Sequence, residues 1–550
     1  MTEAPIKPPA KGMSKTAIIA VVIAAIVIVA AVVIVVEERK AVTPTSSKTV
    51  EFYTYWSTTG KVALDKMTPA FQKATGLTLT PYVSPGAGGV NAKYAILSLI
   101  EAGVPPATFQ THYGTEMLSY VEAAPNGTSS FVNMGPVAEQ INLTNNSFPE
   151  VIESGTFNGT TLSLPVDLHQ GAQLYFNPSV LKKYNQSIPT TLPQLVNVTK
   201  NLTKDGQVAW IIPGGDGGFD QIVLWGDILL AVAGNQLYDQ FTYGIITPAL
   251  MHDINVTNNY FSIFDNNSYS GEQSLTWTQA VPLISEGKVA FQDDGNWETN
   301  YAYDYLNTTN YPAIAPYTSW TNVTLMSNNF PGTGKYFEMI SDSVAVPKGK
   351  DENNGLAFAK YFASFAGQKI FTKWKAVTFY DNVTNDYFNT PAQWYSYQQA
   401  KNTPSNDWVY QLQAGMFDGP TATFESALTA FYESFSSGGS NSTYLAASST
   451  LDHSIQNVLS TTYQDWQVAN GLGLGYLGYA GHPFGGYLPP WANTSANRTA
   501  ASYKLLKSND ANDNAVIVHS DNQVQYIYVS PFSMTYLENM VANGITSIKS

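Results

Sequence analysis

The 550-residue chain contains no cysteine. That removes disulfides, thiol catalysis, a thiolate zinc site and a cysteine-linked lipid anchor. Charge is scarce as well: only 12% of residues are Asp, Glu, Lys or Arg, roughly half the usual share. Asn, Gln, Ser, Thr and Tyr take their place. A surface with few carboxylates loses little when the medium turns acidic, so an acidic habitat and a polar, glycosylated surface are both open readings. The net charge is −14, and no cluster of Lys and Arg offers a phosphate-binding groove, so nucleic acid is not an expected partner. The six histidines are scattered and no H-E-x-x-H occurs, so no metal is expected. There is no G-x-S-x-G elbow, no D-T-G or D-S-G loop and no G-x-x-x-x-G-K-[ST] loop. These absences argue against a serine hydrolase, an acid protease and an ATPase. No cofactor is implied.

What is present begins with Thr16–Val36, almost wholly Ala, Ile and Val. A run of roughly twenty such residues spans the ~30 Å hydrocarbon layer as a helix. Lys7, Lys11 and Lys15 precede it, so the N-terminus should stay inside and the remainder face outside. The flank, Lys11-Gly12 before Met13, resembles the class III, type IV pilin-like leader of archaeal surface proteins. That resemblance implies cleavage between Gly12 and Met13, with an uncleaved signal anchor as the alternative. Thr43–Lys48 is a polar linker. About fifteen Asn-X-Ser/Thr sequons follow, among them Asn126, Asn142, Asn158, Asn201, Asn307, Asn382 and Asn493. All fall on the side the topology places outside, and several are expected to carry glycans.

Past the linker, Val50–Trp56 reads as a strand by its β-branched and aromatic content. Leu64, Met67, Ala70, Phe71 and Ala74 have helical spacing, and Gly76 ends that helix. Leu77–Val83 is a second strand, Ser84–Gly89 a glycine-rich loop, Tyr94–Ala102 a second helix and Thr108–Gln110 a third strand. This β-α-β-α-β order predicts an α/β layer with a mostly parallel sheet. Further on, Ser285–Tyr301 places Asp293, Asp294, Gly295, Asn296 and Trp297 together. Hydrogen-bonding groups beside an aromatic plate suit a sugar, whose ring has apolar faces and a rim of hydroxyls. An ordinary strand and turn is the other reading. Asp293, Asp294 and Glu298 are also the carboxylates a glycosidase would need, although Asp293 and Glu298 are expected at the surface. Near the C-terminus, residues 515–530 read as a hairpin turning at Asp521-Asn522.

The chain resembles the extracellular solute-binding proteins of the family 1 type, which feed sugars to ABC importers. The match rests on several short stretches in the expected order. They are the opening strand with its Trp, Ala74-Thr75-Gly76 before a strand, and Ala102-Gly103-Val104-Pro105-Pro106 before Thr108-Phe109-Gln110. After these come Ser163-Leu164-Pro165-Val166, Leu174-Tyr175-Phe176-Asn177, the Asp294–Trp297 stretch, Asn329-Phe330-Pro331-Gly332-Thr333 and Ser341-Asp342-Ser343. Ala107 stands where the family usually carries Asp. The resemblance implies an α/β, two-lobed periplasmic-binding-protein-like fold behind the N-terminal transmembrane helix. Its segments would be a leader (1–12), the transmembrane helix (13–36) and a linker (37–48). One lobe would comprise 48–165 and 307–373, the other 166–306 and 374–466, with 467–550 a C-terminal extension.

It further implies a non-enzyme, a membrane-anchored receptor outside the cell that captures a mono- or oligosaccharide and passes it to ABC permease subunits. A structural or adhesive surface glycoprotein and an extracellular glycosidase are the alternatives. The candidate ligand residues sit at strand ends and in loops beside the implied cleft. They are Trp56, Gln110, His112, Glu116, Trp225, Asp294, Trp297, Asp342 and Lys375. For Trp56 and Trp225 a core position is the competing reading, and His169 is expected to be structural.

Overall fold

In the first strand every second residue is apolar or small, and the structure buries that set. Val50, Phe52 and Thr54 of β1 (Thr49–Thr54) face inward. The structure is a computed structural model that describes residues 48–85, 89–157, 160–308, 324–349, 351–436 and 441–471. It also describes short strands at 315–316, 503–506, 516–519 and 527–528. The leader, the expected transmembrane helix and Asn158 and Asn493 lie outside the described residues, as does the side chain of Asn307. Among the described residues no helix is long and apolar enough to cross a membrane.

The first sheet has the order β2 (Thr78–Val83), β1, β3 (Thr108–His112), β14 (Asp342–Ala345), β6 (Ser163–Pro165). The three opening strands are parallel, as the β-α-β-α-β order predicts, while β14 and β6 add antiparallel. The first connecting helix spans Thr59–Thr75 and ends on Gly76, whose φ of 73° is the left-handed geometry that favours glycine at this cap. It starts earlier than its apolar spacing suggests. It buries Ala63, Leu64, Met67 and Phe71, and leaves Ala74 in solvent.

The second sheet has the order β11 (Ala315–Pro316), β12 (Met326–Asn329), β8 (Gln173–Phe176), β10 (Val289–Asp294), β9 (Val208–Trp210). Each sheet has its own apolar core. One is built around Phe52, Phe109, Phe358 and Phe362, the other around Phe176, Trp210, Trp225 and Phe291. A third, three-stranded sheet joins β15 (Trp408–Tyr410), β13 (Phe337–Ile340) and β7 (His169–Gln170). The chain passes from one half to the other through each of these strands. Within β15, Trp408 packs in the first core and Val409 in the second.

These pairings shift two expected boundaries. β12 hydrogen-bonds β8, so the chain leaves the second half at β13, well after residue 307. Val377, Phe379, Tyr380 and Tyr397 pack in the first core, so the last crossing comes at β15 and not at 374. The physical reason is backbone pairing, which short family motifs do not encode. Two small antiparallel groupings complete the list. They are β4 (Thr156–Phe157) with β5 (Thr160–Thr161), and β16 (Tyr503–Leu506), β17 (Val516–His519) and β18 (Ile527–Tyr528), in which Val516 faces Tyr528.

Candidate functional site

In open α/β sheets, ligands bind beyond the carboxyl ends of the strands. Here β1 and β3 run parallel and end together, and β14 runs the other way, so its first residue lies beside their last. Asp342 therefore pairs in register with His112. In the second sheet β9 and β10 are likewise parallel. Between these two sets of ends lies a cleft of about 270 Å³. From the first half it is lined by Tyr55, Trp56, Thr58, His112 and Asp342. From the second come Asp216, Phe219, Trp277, Thr278 and Trp297, and the floor holds His169, Ile340 and Lys375.

The hub of the first half is Asp342. Its carboxylate accepts from Tyr55 Oη, from Gln110 Nε2 at 2.9 Å, from Trp56 Nε1 at 3.3 Å and from Lys375 Nζ at 3.1 Å. Burial alone would raise its pKa. The Lys375 ammonium outweighs that and holds the carboxyl well below the usual range. Lys375 also binds Asp167 at 3.0 Å and contacts His169 Nε2, while His169 Nδ1 donates to Asn296 Oδ1 at 2.7 Å. Burial and the Lys375 ammonium lower the pKa of His169, and the carboxylates of Asp167 and Asp342 outweigh them and raise it. Asp167, His169 and Asp342 come close enough together to ligate a metal ion, but the Lys375 ammonium sits among them with its own three contacts.

The turn that aims Lys375 is held under strain. Ala376 has φ of 60°, a conformation non-glycine residues rarely adopt. Gln393 fixes it by donating to the carbonyls of Thr372 and Ala376 at 2.6 and 2.7 Å.

His112 carries a second chain of contacts away from the cleft. Its Nε2 lies 3.0 Å from Tyr55 Oη and its Nδ1 2.6 Å from Glu116. Glu116 meets Lys93 at 3.2 Å, and Lys93 meets Asp418 of the second half at 2.7 Å. Burial would lower the histidine and raise the glutamate. The pairing outweighs burial in both, so His112 is raised and Glu116 is lowered to about 2.

Each half leans an indole on a glycine. A Cβ on Gly60 would lie 2.5 Å from Cγ of Trp56, and one on Gly295 would lie 2.1 Å from the ring of Trp297. The two indoles are not equivalent. Trp56 is 4% exposed, packs on Phe371 and gives its N–H to Asp342, so it is a wall of the cleft. Trp297 is half-buried, edge-on to His169 and beside Phe219.

Of the nine candidate ligand residues, Trp56, His112, Trp297, Asp342 and Lys375 line the cleft. Gln110 and Glu116 lie one contact behind it, orienting Asp342 and His112. Asp294 and Trp225 are corrected by the structure. Asp294 is fully buried at the end of β10, where one oxygen accepts from the backbone N–H of Gly295 at 2.9 Å. It stands behind the cleft wall, because β10 is an inner strand covered on both faces. Trp225 is a core residue whose N–H donates to Asn258.

Asp293, expected at the surface, is buried on the same inner strand as Asp294, and Glu298, also expected there, is buried in the first turn of the helix that follows. His169, expected to be structural, reaches the cleft. Tyr55, Asp216, Phe219 and Trp277 were missed. Tyr55 had a signal, since it precedes Trp56 at the same strand end. Trp277 is set at a helix start where its backbone N–H donates to Asp216. Three candidate glycan sites, Asn126, Asn142 and Asn382, are exposed, and Asn201 is half-buried.

Residues 55–369 match the family described as bacterial extracellular solute-binding protein. The glucose-binding protein GlcS of Saccharolobus solfataricus is 45% identical over 474 residues, which is 85% of this chain and 83% of that protein. Among solved structures, a chitin oligosaccharide binding protein aligns with a TM-score of 0.60 at 16% identity, covering 76% of this chain and all of its own. The GacH receptor of Streptomyces glaucescens aligns at 0.56 and 14% identity, covering 76% of this chain and 99% of its own. At those identities the likeness is one of fold.

Proposed function

This chain belongs to the bacterial extracellular solute-binding protein family, and we propose that it captures a sugar in the cleft between two lobes and delivers it to an ABC importer. The observation that carries this reading is the convergence of half-buried indoles with unlike polar groups at facing strand ends. Trp297 and Trp277 offer ring faces to the apolar side of a pyranose. Asp216 accepts from hydroxyls and the hydroxyls of Thr58 and Thr278 donate, while Lys375 and Tyr55, whose donors are engaged within the protein, hold Asp342 at the cleft edge. Each neutral hydrogen bond contributes only about 1 kcal/mol net, so several must act together. The cleft, at about 270 Å³, lies just below the range for drug-sized ligand sites, about 300–1,000 Å³, which favours a monosaccharide. The relative's name makes glucose the first sugar to test.

The two lobes are the two sheets with their cores, linked by the three strands β7, β13 and β15. A ligand that touches both lobes shifts the population toward the closed form by the contacts only that form provides. The chain is anchored through Thr16–Val36 with the cleft outside, and a permease is its partner. Asp293, Asp294 and Glu298, the acids a glycosidase would need, do not line the cleft; this favours binding without turnover.

Titrating glucose, other monosaccharides and short oligosaccharides while following tryptophan fluorescence tests the proposal. Saturable quenching or enhancement with the sugar recovered intact is the expected result. Hydrolysis of any oligosaccharide would select an enzyme instead, and silence toward every sugar would defeat the receptor reading. Gly295→Ala should weaken the same sugar by at least roughly tenfold, since the new methyl displaces the Trp297 ring. Calorimetric titration of the variant, checked for an unaltered far-UV spectrum, measures this.

A further inference from the structure

Behind the cleft wall of the second half lies a set of acids that the binding site does not use. Asp220 and Asp227 come from the helix Phe219–Thr242, Asp293 and Asp294 from β10, Glu298 from the helix Trp297–Thr308 and Glu338 from β13. All six are buried. They face one another: Asp227 contacts both Asp293 and Glu338, Asp294 contacts Glu298, and of the neighbouring charges Asp294 acts most strongly on Asp220.

The groups packed around them are acids and phenols. Asp216 precedes the first helix, Tyr175 of β8 lies against Glu298, and Tyr238 donates to Glu338 at 2.5 Å. Among the described residues no Lys, Arg or His forms an ion pair with any of the six. Lys375 and His169 are engaged with Asp167, Asp342 and Asn296 on the floor of the cleft. Among the described residues, ten of the twelve carboxyl oxygens accept from no protein N–H or O–H donor.

A buried carboxylate without a cation or donor is expensive, and two in contact are worse. A proton resolves both problems. It removes the charge and supplies the missing donor, so that one carboxyl can hydrogen-bond the next. We propose that this half of the protein is locked by protons shared among these six acids, so that the wall carrying Trp297 is firm in an acidic medium and loosens as the medium approaches neutrality. The consequence for ligand binding rests on the sugar-receptor reading; the consequence for stability does not.

The sign follows from linkage. Burial first, and neighbouring acids second, raise Asp220, Asp227 and Glu298 well above the ordinary carboxyl range. Asp293 is raised likewise and Asp294 to about 7. Groups raised on folding contribute stability that is complete below the unfolded pKa, near 4, and is lost as pH climbs through the folded value. The loss therefore begins near pH 4 and continues past about 7. The usual carboxylate pattern runs the other way.

The experiment is a thermal unfolding series on the full chain in detergent between pH 3 and 8, with wild type, Asp227→Asn and the pair Asp294→Asn/Glu298→Gln. The amides mimic protonated acids and cannot ionise. Wild type should melt roughly ten degrees or more lower at pH 8 than at pH 4, and each variant should shrink that drop. Hydrogen exchange at pH 8 should show the second sheet opening before the first, which keeps the question decidable if a variant fails to fold. A melting temperature that rises between pH 4 and 7 would overturn the proposal. So would an unchanged pH slope in folded variants, or recovery of the acid-state melting temperature at pH 8 by added calcium, which would make the cluster a cation site. Glucose titrated at each pH should bind more weakly as the second half loosens. If no sugar binds at any pH while the melting slope holds, the receptor reading fails and the proton lock stands.

Discussion

Lys375→Met should cost about 3–5 kcal/mol of folding stability and abolish measurable sugar binding. The ammonium neutralises two buried carboxylates, Asp167 and Asp342, at 3.0 and 3.1 Å. Removing one member of a buried, hydrogen-bonded charge cluster leaves the others uncompensated, which is where losses of that size arise. Methionine keeps most of the stem's volume, so the effect isolates the charge and not a cavity.

A pH signature separates this from general damage. Asp342 is held well below the usual range in the folded state, so it contributes stability above its unfolded pKa of about 3.9, lost only as pH falls through its lower folded value. Without Lys375 that carboxyl should move up, and the variant should regain part of its stability as acid protonates Asp342. Denaturant melts of both proteins at pH 3 and 6 measure this. A variant as stable as wild type at pH 6 would mean that the two aspartates do not depend on the ammonium. The far side of the same lobe behaves like Asp342, since Glu116 is lowered to about 2. The first half thus keeps its ion pairs deep into acid, while the second half keeps its protons up to about 7 at Asp294. The interval in which both halves are intact is acidic, which agrees with the scarcity of surface charge in the sequence.

What was legible in the sequence followed from local physics. The β-α-β-α-β opening was readable because alternation in Val50–Thr54, the apolar spacing from Leu64 to Phe71 and the cap at Gly76 are short-range signals. The cleft residues Trp56, His112 and Asp342 were legible because they sit at strand ends, where ligand-facing positions fall in such folds. What was not legible depends on partners distant in sequence. Asp294 and Trp297 are three residues apart and look like one motif. The strand carries Asp294 into the interior, and the helix that follows turns Trp297 toward the cleft. Lys375 reached the list through resemblance, but its role comes from a strained turn at Ala376 that Gln393 secures from another helix. The two later crossings were misplaced because they are decided by β12 pairing with β8 and by Tyr397 packing against Phe148, neither of which leaves a local trace.

Trp297→Ala and Trp225→Ala should part company completely, although both tryptophans were candidate ligand plates. Trp297 is half-buried, lines the cleft and lies edge-on to His169 with ring centroids 5.5 Å apart. Truncating an aromatic anchor at the centre of a binding site typically costs about 2–4 kcal/mol of binding, so the dissociation constant for the sugar should rise roughly 30-fold or more. Its stability loss should be the smaller of the two, because Trp297 is only partly buried and packs at the margin of the core. Trp225 is 0% exposed and packed between Phe241 and Phe424, with centroids 5.0 and 4.8 Å away. Its removal opens a cavity and strands the Asn258 acceptor, and such truncations cost about 3–5 kcal/mol of stability. The molecules that remain folded should bind sugar with near-normal affinity, since no cleft contact is lost. Calorimetric titration and a denaturant melt on each variant give the four numbers required. If Trp297→Ala lost stability and kept its affinity, the ring would belong to the core, the stacking surface of the second lobe would pass to Trp277, and the cleft would have to be redrawn around the helix that starts there.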